Sequence, residues 1–130
     1  MGACHRYRLG LATLLLIVVA GCASEPRASD YLTPSRLAQL VSEGSTSYLL
    51  LDVRTPGEFA SGHIPTAVNV PVDRIREGMM SAAKDEIVIV YCASGARASI
   101  AEKALLGLGF TNVANFGAIG RWPGELTKGS

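Results

Sequence analysis

Ile87-Val88-Ile89-Val90-Tyr91-Cys92, continued by Ala93-Ser94-Gly95-Ala96-Arg97 and then Ala98-Ser99-Ile100-Ala101-Glu102-Lys103-Ala104-Leu105, decides the fold. The opening run is apolar, rich in β-branched residues and too short for a comfortable helix. It reads as a strand buried on both faces, the signature of a parallel sheet. The strand ends at a cysteine, a loop of small residues follows, and a helical pattern then begins with Ile100, Ala101, Ala104, Leu105 and Leu108 on one face. Cys92 is therefore expected where a buried strand meets a loop and then a helix.

That position has chemical consequences. Successive N–H groups in a tight loop can point inward as a nest, and the helix start adds a partial positive charge. Thiolate is the nucleophilic form of cysteine, and such surroundings, with the Arg97 cation closing the loop, favour it. A buried cysteine can also be a small hydrophobe and nothing more. The arginine five residues on, with a loop of small residues between, points instead to a cradle for a thiolate and a small oxyanion.

Working outward, 130 residues with 48% hydrophobic content support one domain. His5, Arg6 and Arg8 precede an apolar run from Leu9 to Ala20, which reads as an export signal over residues 1–21. Its end, Val19-Ala20-Gly21-Cys22, resembles the bacterial lipobox, which implies that Cys22 is lipidated and becomes the new N-terminus. The expected location is the periplasmic face of a bacterial membrane, the outer rather than the inner because Ala23 follows Cys22. Residues 22–30 read as a lipidated tether, and the domain as 31–130. Removing Arg6 and Arg8 from the twelve basic residues leaves ten against eleven acidic ones. No basic surface argues for nucleic acid.

Cys4 would leave with the leader and Cys22 would carry lipid, so Cys92 is expected to be the one free thiol. With His63 the only other soft ligand in the mature chain, neither a metal nor a cofactor is expected.

Thr33-Pro34 opens a helix with Leu37, Leu40 and Val41 on its apolar stripe, ending near Gly44. Tyr48-Leu49-Leu50-Leu51-Asp52-Val53 repeats the buried-strand pattern and ends on polar residues. Thr55-Pro56-Gly57-Glu58 is a capping box with proline at the first helical position. Ala67 to Val70 reads as a short strand, Arg74 to Ser81 as a helical stretch in which Met79 and Met80 fill a core gap or helix end, and Thr111 to Phe116 as a last strand. His63 is expected to fix a turn, and Trp122 to anchor packing near the site. Strands alternating with helices give an α/β fold, a mostly parallel central sheet with helices on both faces and ligands beyond the strand C-termini.

Leu51 to Phe59 with Gly62 to Pro71 resembles the rhodanese homology motif; Val90 to Arg97 resembles the rhodanese active-site loop, and Gly117 to Trp122 the family's C-terminal motif. The similarity runs from about Leu32 to Glu125. It implies a sulfurtransferase in which Cys92 takes sulfur from thiosulfate or a persulfide, then passes it to cyanide or a thiol. A redox or sulfur-relay protein is an implied partner. The loop amides of Ala93, Ser94, Gly95, Ala96 and Arg97 would hold the charged sulfur. Arg97 would bind the donor's oxygens or brace the loop by pairing with Asp52 or Glu58. Asp52 and Arg54 fit a strand-end ion-pair framework, and Glu58 a cap. Phosphatases of related fold use Cys, five residues and Arg; here four residues separate Cys92 from Arg97, a smaller ring that suits sulfur. A non-catalytic reading, a persulfide-sensing or sulfur-carrier module, is kept open by Ala93, Ala96 and Ala98, where polar side chains often stand.

Overall fold

The computed structural model describes Gly21 and residues 23–130; the expected leader and the Cys22 lipidation site lie outside the described residues. Strand β3 (Val88–Cys92) is buried at every position, as its apolar run requires. It pairs in parallel with β1 (Leu49–Asp52) on one side and β4 (Val113–Ala118) on the other, and β1 pairs in parallel with β2 (Val68–Asn69). The order is β2-β1-β3-β4.

Side-chain alternation along the strands splits the core into two layers. Leu50, Ile89, Tyr91 and Phe116 pack with Leu37 and Leu40 of α1 (Pro34–Glu43). Leu51, Val88, Val90 and Cys92 pack on the opposite face with Ile75 of α3 (Val72–Arg76) and with Ala98, Ala101 and Leu105 of α4 (Ala96–Gly107). The short α2 (Pro56–Ser61) buries no residue and sits at the strand C-terminal end, following β1. The fold is α/β with helices on both faces, as the strand patterns predict.

Four local expectations are corrected. The stretch read as tether ends in a 3-10 turn, Ala28–Tyr31, whose Ala28 is buried and donates its N–H to the Asn112 side chain at 2.8 Å. Ala28, within the stretch read as tether, thus packs with the core. Helix α3 spans Val72–Arg76 instead of Arg74 to Ser81, because Gly78 turns the chain with φ +77°. Met80 packs against the core, but Met79 is exposed and accepts from Arg74 Nη1 at 3.0 Å. Finally, α4 buries Ala98, Ala101 and Leu105, while Ile100 is 48% exposed. Alanines allow the close approach to the sheet that isoleucine would prevent.

β3 and β4 change register between Val90, opposite Asn115, and Tyr91, opposite Gly117. Phe116 is the extra residue of a bulge, and the Asn115 side chain accepts the Gly117 N–H at 2.8 Å. The bulge sets Gly117 beside the loop that follows β3.

Candidate active site

Cys92 closes β3 with no exposure, and it is a free thiol. After it the chain turns through Ala93 and Ser94, both exposed, to Gly95 at φ +98°, the left-handed region glycine favours. That turn aims the Gly95 N–H back at Cys92 Sγ, 2.9 Å away. A Cβ on Gly95 would stand 3.5 Å from Gly117 Cα, so two glycine backbones meet where the loop crosses β4. Gly95 is also the N-cap of α4 and brings no side-chain cap. The N-cap amide of a 12-residue helix thus points at the sulfur from the helix's positive end.

Arg97, in the first turn of α4, gives its guanidinium fork to Glu58: Nη1 to Oε2 at 2.8 Å and Nη2 to Oε1 at 2.9 Å. Glu58 serves α2 at the same time, its Oε2 accepting the Thr55 N–H at 2.9 Å while its own N–H donates to Thr55 Oγ1 at 3.3 Å. One carboxylate joins the starts of two helices. The hydrogen bonds from Arg97, then those from Thr55, hold the Glu58 carboxyl down at about 2, and the same pair raises Arg97. Of the two partners open to Arg97 from sequence, Glu58 is the one it takes. The cap expected at Glu58 is present, and the ion pair is added to it.

Asp52 has its own arginine. Arg54 Nε bonds both carboxylate oxygens at 3.0 and 3.1 Å, Nη2 reaches Oδ2 at 2.6 Å, and the Arg54 backbone N–H donates to Oδ1 at 3.0 Å. Nη2 also donates to the Gly62 carbonyl at 2.7 Å. The pair is buried, and the Asp52 hydrogen bonds raise the Arg54 guanidinium despite the cost of burial. It fixes the turn after β1 against the end of α2, the framework role read from the sequence. His63 fixes that turn further: its Nδ1 contacts the Phe59 carbonyl at 2.9 Å and its ring stacks on Phe59, centroids 3.7 Å apart. Trp122 is partly buried against the α1-side core, the packing role expected of it.

Three contributors escaped sequence reading. Tyr91 accepts the Ile64 N–H at 3.0 Å, and burial pushes its own hydroxyl up. Asn69 donates to the carbonyls of Asp52 and Arg54 at 3.0 and 2.9 Å. Arg121 bonds the Phe116 and Leu32 carbonyls and lies over the Phe116 ring, bracing the bulge that carries Gly117. Its sequence signal is a cation one residue after Gly120, at the exit of a strand.

A model of the rhodanese-like domain matches residues 33–122. The chain belongs to the rhodanese-like family. Several of its relatives are named sulfurtransferases: a sulfurtransferase of Allochromatium vinosum is 43% identical over 75 residues, covering 57% of this chain and 70% of that one. Thiosulfate sulfurtransferase PspE of Escherichia coli is 32% identical over 71 residues, covering 53% and 68%. The chain spans 63% of a Schizosaccharomyces pombe relative that is 36% identical over 92 residues. Among solved structures, a Staphylococcus aureus rhodanese-like domain superposes with a TM-score of 0.64 at 33% identity, covering 75% of this chain and 96% of the other. An Escherichia coli rhodanese with anions gives 0.58 at 29% identity, covering 64% of this chain and all of that one. In this rhodanese-like domain the geometry links Cys92 through the loop 93–97 to Arg97 and Glu58, with the buried Asp52–Arg54 pair at the end of the neighbouring strand β1.

Proposed function

We propose that this rhodanese-like domain is a sulfurtransferase that carries sulfane sulfur on Cys92. The observation that carries the reading is the Gly95 N–H pointing at Cys92 Sγ at 2.9 Å from an uncapped helix start, a contact that stabilises negative charge on sulfur. The Cys92 thiolate attacks the outer sulfur of thiosulfate or a persulfide. A new S–S bond forms as the donor's S–S bond breaks, and sulfite or a thiolate departs with the electron pair. Cyanide or a thiolate then attacks the outer sulfur of the Cys92 persulfide and regenerates the thiolate, so no external oxidant or reductant is consumed. The loop amides bind both charged sulfur forms. A protein relay thiol is as suitable an acceptor chemically as a small one.

A specific observation favours the carrier reading as the alternative. Arg97 is engaged by Glu58, and the exposed rim residues Ala93 and Ala96 bring no side-chain donor, which weakens thiosulfate binding relative to a persulfide. Intact mass after thiosulfate treatment, with a cyanide chase, tests both. Wild type is expected to gain one sulfur and lose it to cyanide with repeated turnover, and Cys92→Ser to gain none. Sulfur that loads and resists cyanide and thiols would favour the carrier; no loading from thiosulfate or from a persulfide would overturn both.

The lipobox-like Val19-Ala20-Gly21-Cys22 supports attachment of lipid at Cys22 and residence on the periplasmic face of a bacterial membrane, with the outer membrane favoured by Ala23. Two or more acyl chains satisfy the requirement for stable anchoring.

A further inference from the structure

All four strands are parallel, so the sheet has one end made of strand N-termini and another made of strand C-termini. Cys92 ends β3 at the second. The segment leading from Cys22 arrives at the first. Ser24, Glu25, Pro26 and Arg27 line one crevice with Ser47 and Asn112, which precede β1 and β4. Ala28 is then fastened to Asn112, whose carbonyl accepts the N–H of Val88, the first residue of β3. From Val88 to Cys92 the strand advances about 13 Å at ~3.3 Å per residue. The exposed rim of Ala93, Ser94 and Ala96 lies beyond that.

We infer that, in the membrane-anchored protein, the strand N-terminal end faces the bilayer and the Cys92 loop faces away from it, so that sulfur is exchanged with water-borne partners. This rests on the lipid attachment proposed above. Ala28 is the sixth residue after Cys22, a span of about 20 Å at full extension. Ser24 to Arg27 use most of that span along the end of the sheet, which leaves too little slack to turn the domain over. Charge does not set this orientation: Glu25, Asp85 and Glu86 outnumber Arg27 around the crevice, and an acidic face gains nothing from anionic headgroups. The arrangement should therefore be insensitive to salt.

The test uses full-length acylated protein in phosphatidylethanolamine–phosphatidylglycerol vesicles whose headgroups carry a nitroxide quencher. A fluorophore is placed on Asp85→Cys or on Ser94→Cys, each combined with Cys92→Ser, and both positions are exposed. The expected result is loss of fluorescence at position 85 and none at position 94, at low and high salt alike. Equal quenching, or quenching confined to position 94, overturns the orientation. Ser45→Cys and Ala96→Cys form a second pair should either carrier fail to fold. Vesicle flotation and intact mass, with Cys22→Ser as control, are read first. Protein that lacks acyl mass and stays off the vesicles overturns the lipid reading itself, and the orientation with it.

Discussion

Replacing Arg54 with methionine strands the Asp52 carboxylate where water does not reach, since Asp52 has no exposure and Arg54 supplies three side-chain hydrogen bonds to it. Removing one partner of a buried pair costs about 3–5 kcal/mol. Urea unfolding of Arg54→Met should show a loss of that size. Glu58 behaves differently, because its side chain is 36% exposed and the pair with Arg97 is screened. Its carboxyl is depressed from 4.5 to about 2. The stabilisation is therefore complete above the unfolded value and is lost as pH falls from about 4.5 through about 2. Discounted for solvent, it amounts to ~1 kcal/mol or less. Unfolding midpoints of wild type should fall across that window, while Glu58→Gln should start lower and fall less, and salt should shrink the difference. Cys92, the loop and the capping box were legible at this scale because each is written in contiguous residues. The choice of Glu58 by Arg97 was not, since the two are 39 positions apart and Asp52 competed for the same cation on paper.

The loop between β3 and α4 works because Gly95 and Gly117 pass close to each other, both at positive φ. Alanine at position 95 would have to hold a left-handed backbone, costing roughly 1–2 kcal/mol, while its Cβ would make only ordinary contact, 3.5 Å, with Gly117 Cα. The Gly95→Ala protein should fold with reduced stability and load sulfur much more slowly, because relaxing φ swings the position-95 N–H off Cys92 Sγ; single-turnover loading by mass checks this. β1 and β3 were readable because a strand buried on both faces must be apolar throughout. The inner face of α4 was legible only in part: Ala101 and Leu105 belong to it as read, but the close seat on the sheet also selects Ala98, which carries little hydrophobic signal, while the stronger signal of Ile100 belongs to an exposed position. Gly78 marked the true end of α3, and two methionines beyond it made the helix look longer.

At the scale of the whole molecule, the first residues of the domain are a clasp. Ala28 is 1% exposed, bonded to Asn112, and the 3-10 turn it opens lies against β4, while Arg121 ties the Leu32 carbonyl to the far end of the same strand. Ala28→Asp puts a charge in that seat and should release the segment. Trypsin should then cut after Arg27 faster than in wild type, with the sheet core still protected from hydrogen exchange. The composition of residues 23–30, small and polar, reads as linker. What it does not reveal is that one alanine finds a hole in the core, since alanine is common in both settings. The borders of the sheet are blunted as well. One border, β2, is two residues long, and the other, β4, is interrupted by the bulge at Phe116, where the Asn115 side chain takes the Gly117 N–H and Arg121 donates to the Phe116 carbonyl. Neither offers a run of free backbone donors and acceptors to a neighbouring copy. Molecules packed side by side in a crowded layer can collide at any angle without zipping into a continuous ribbon.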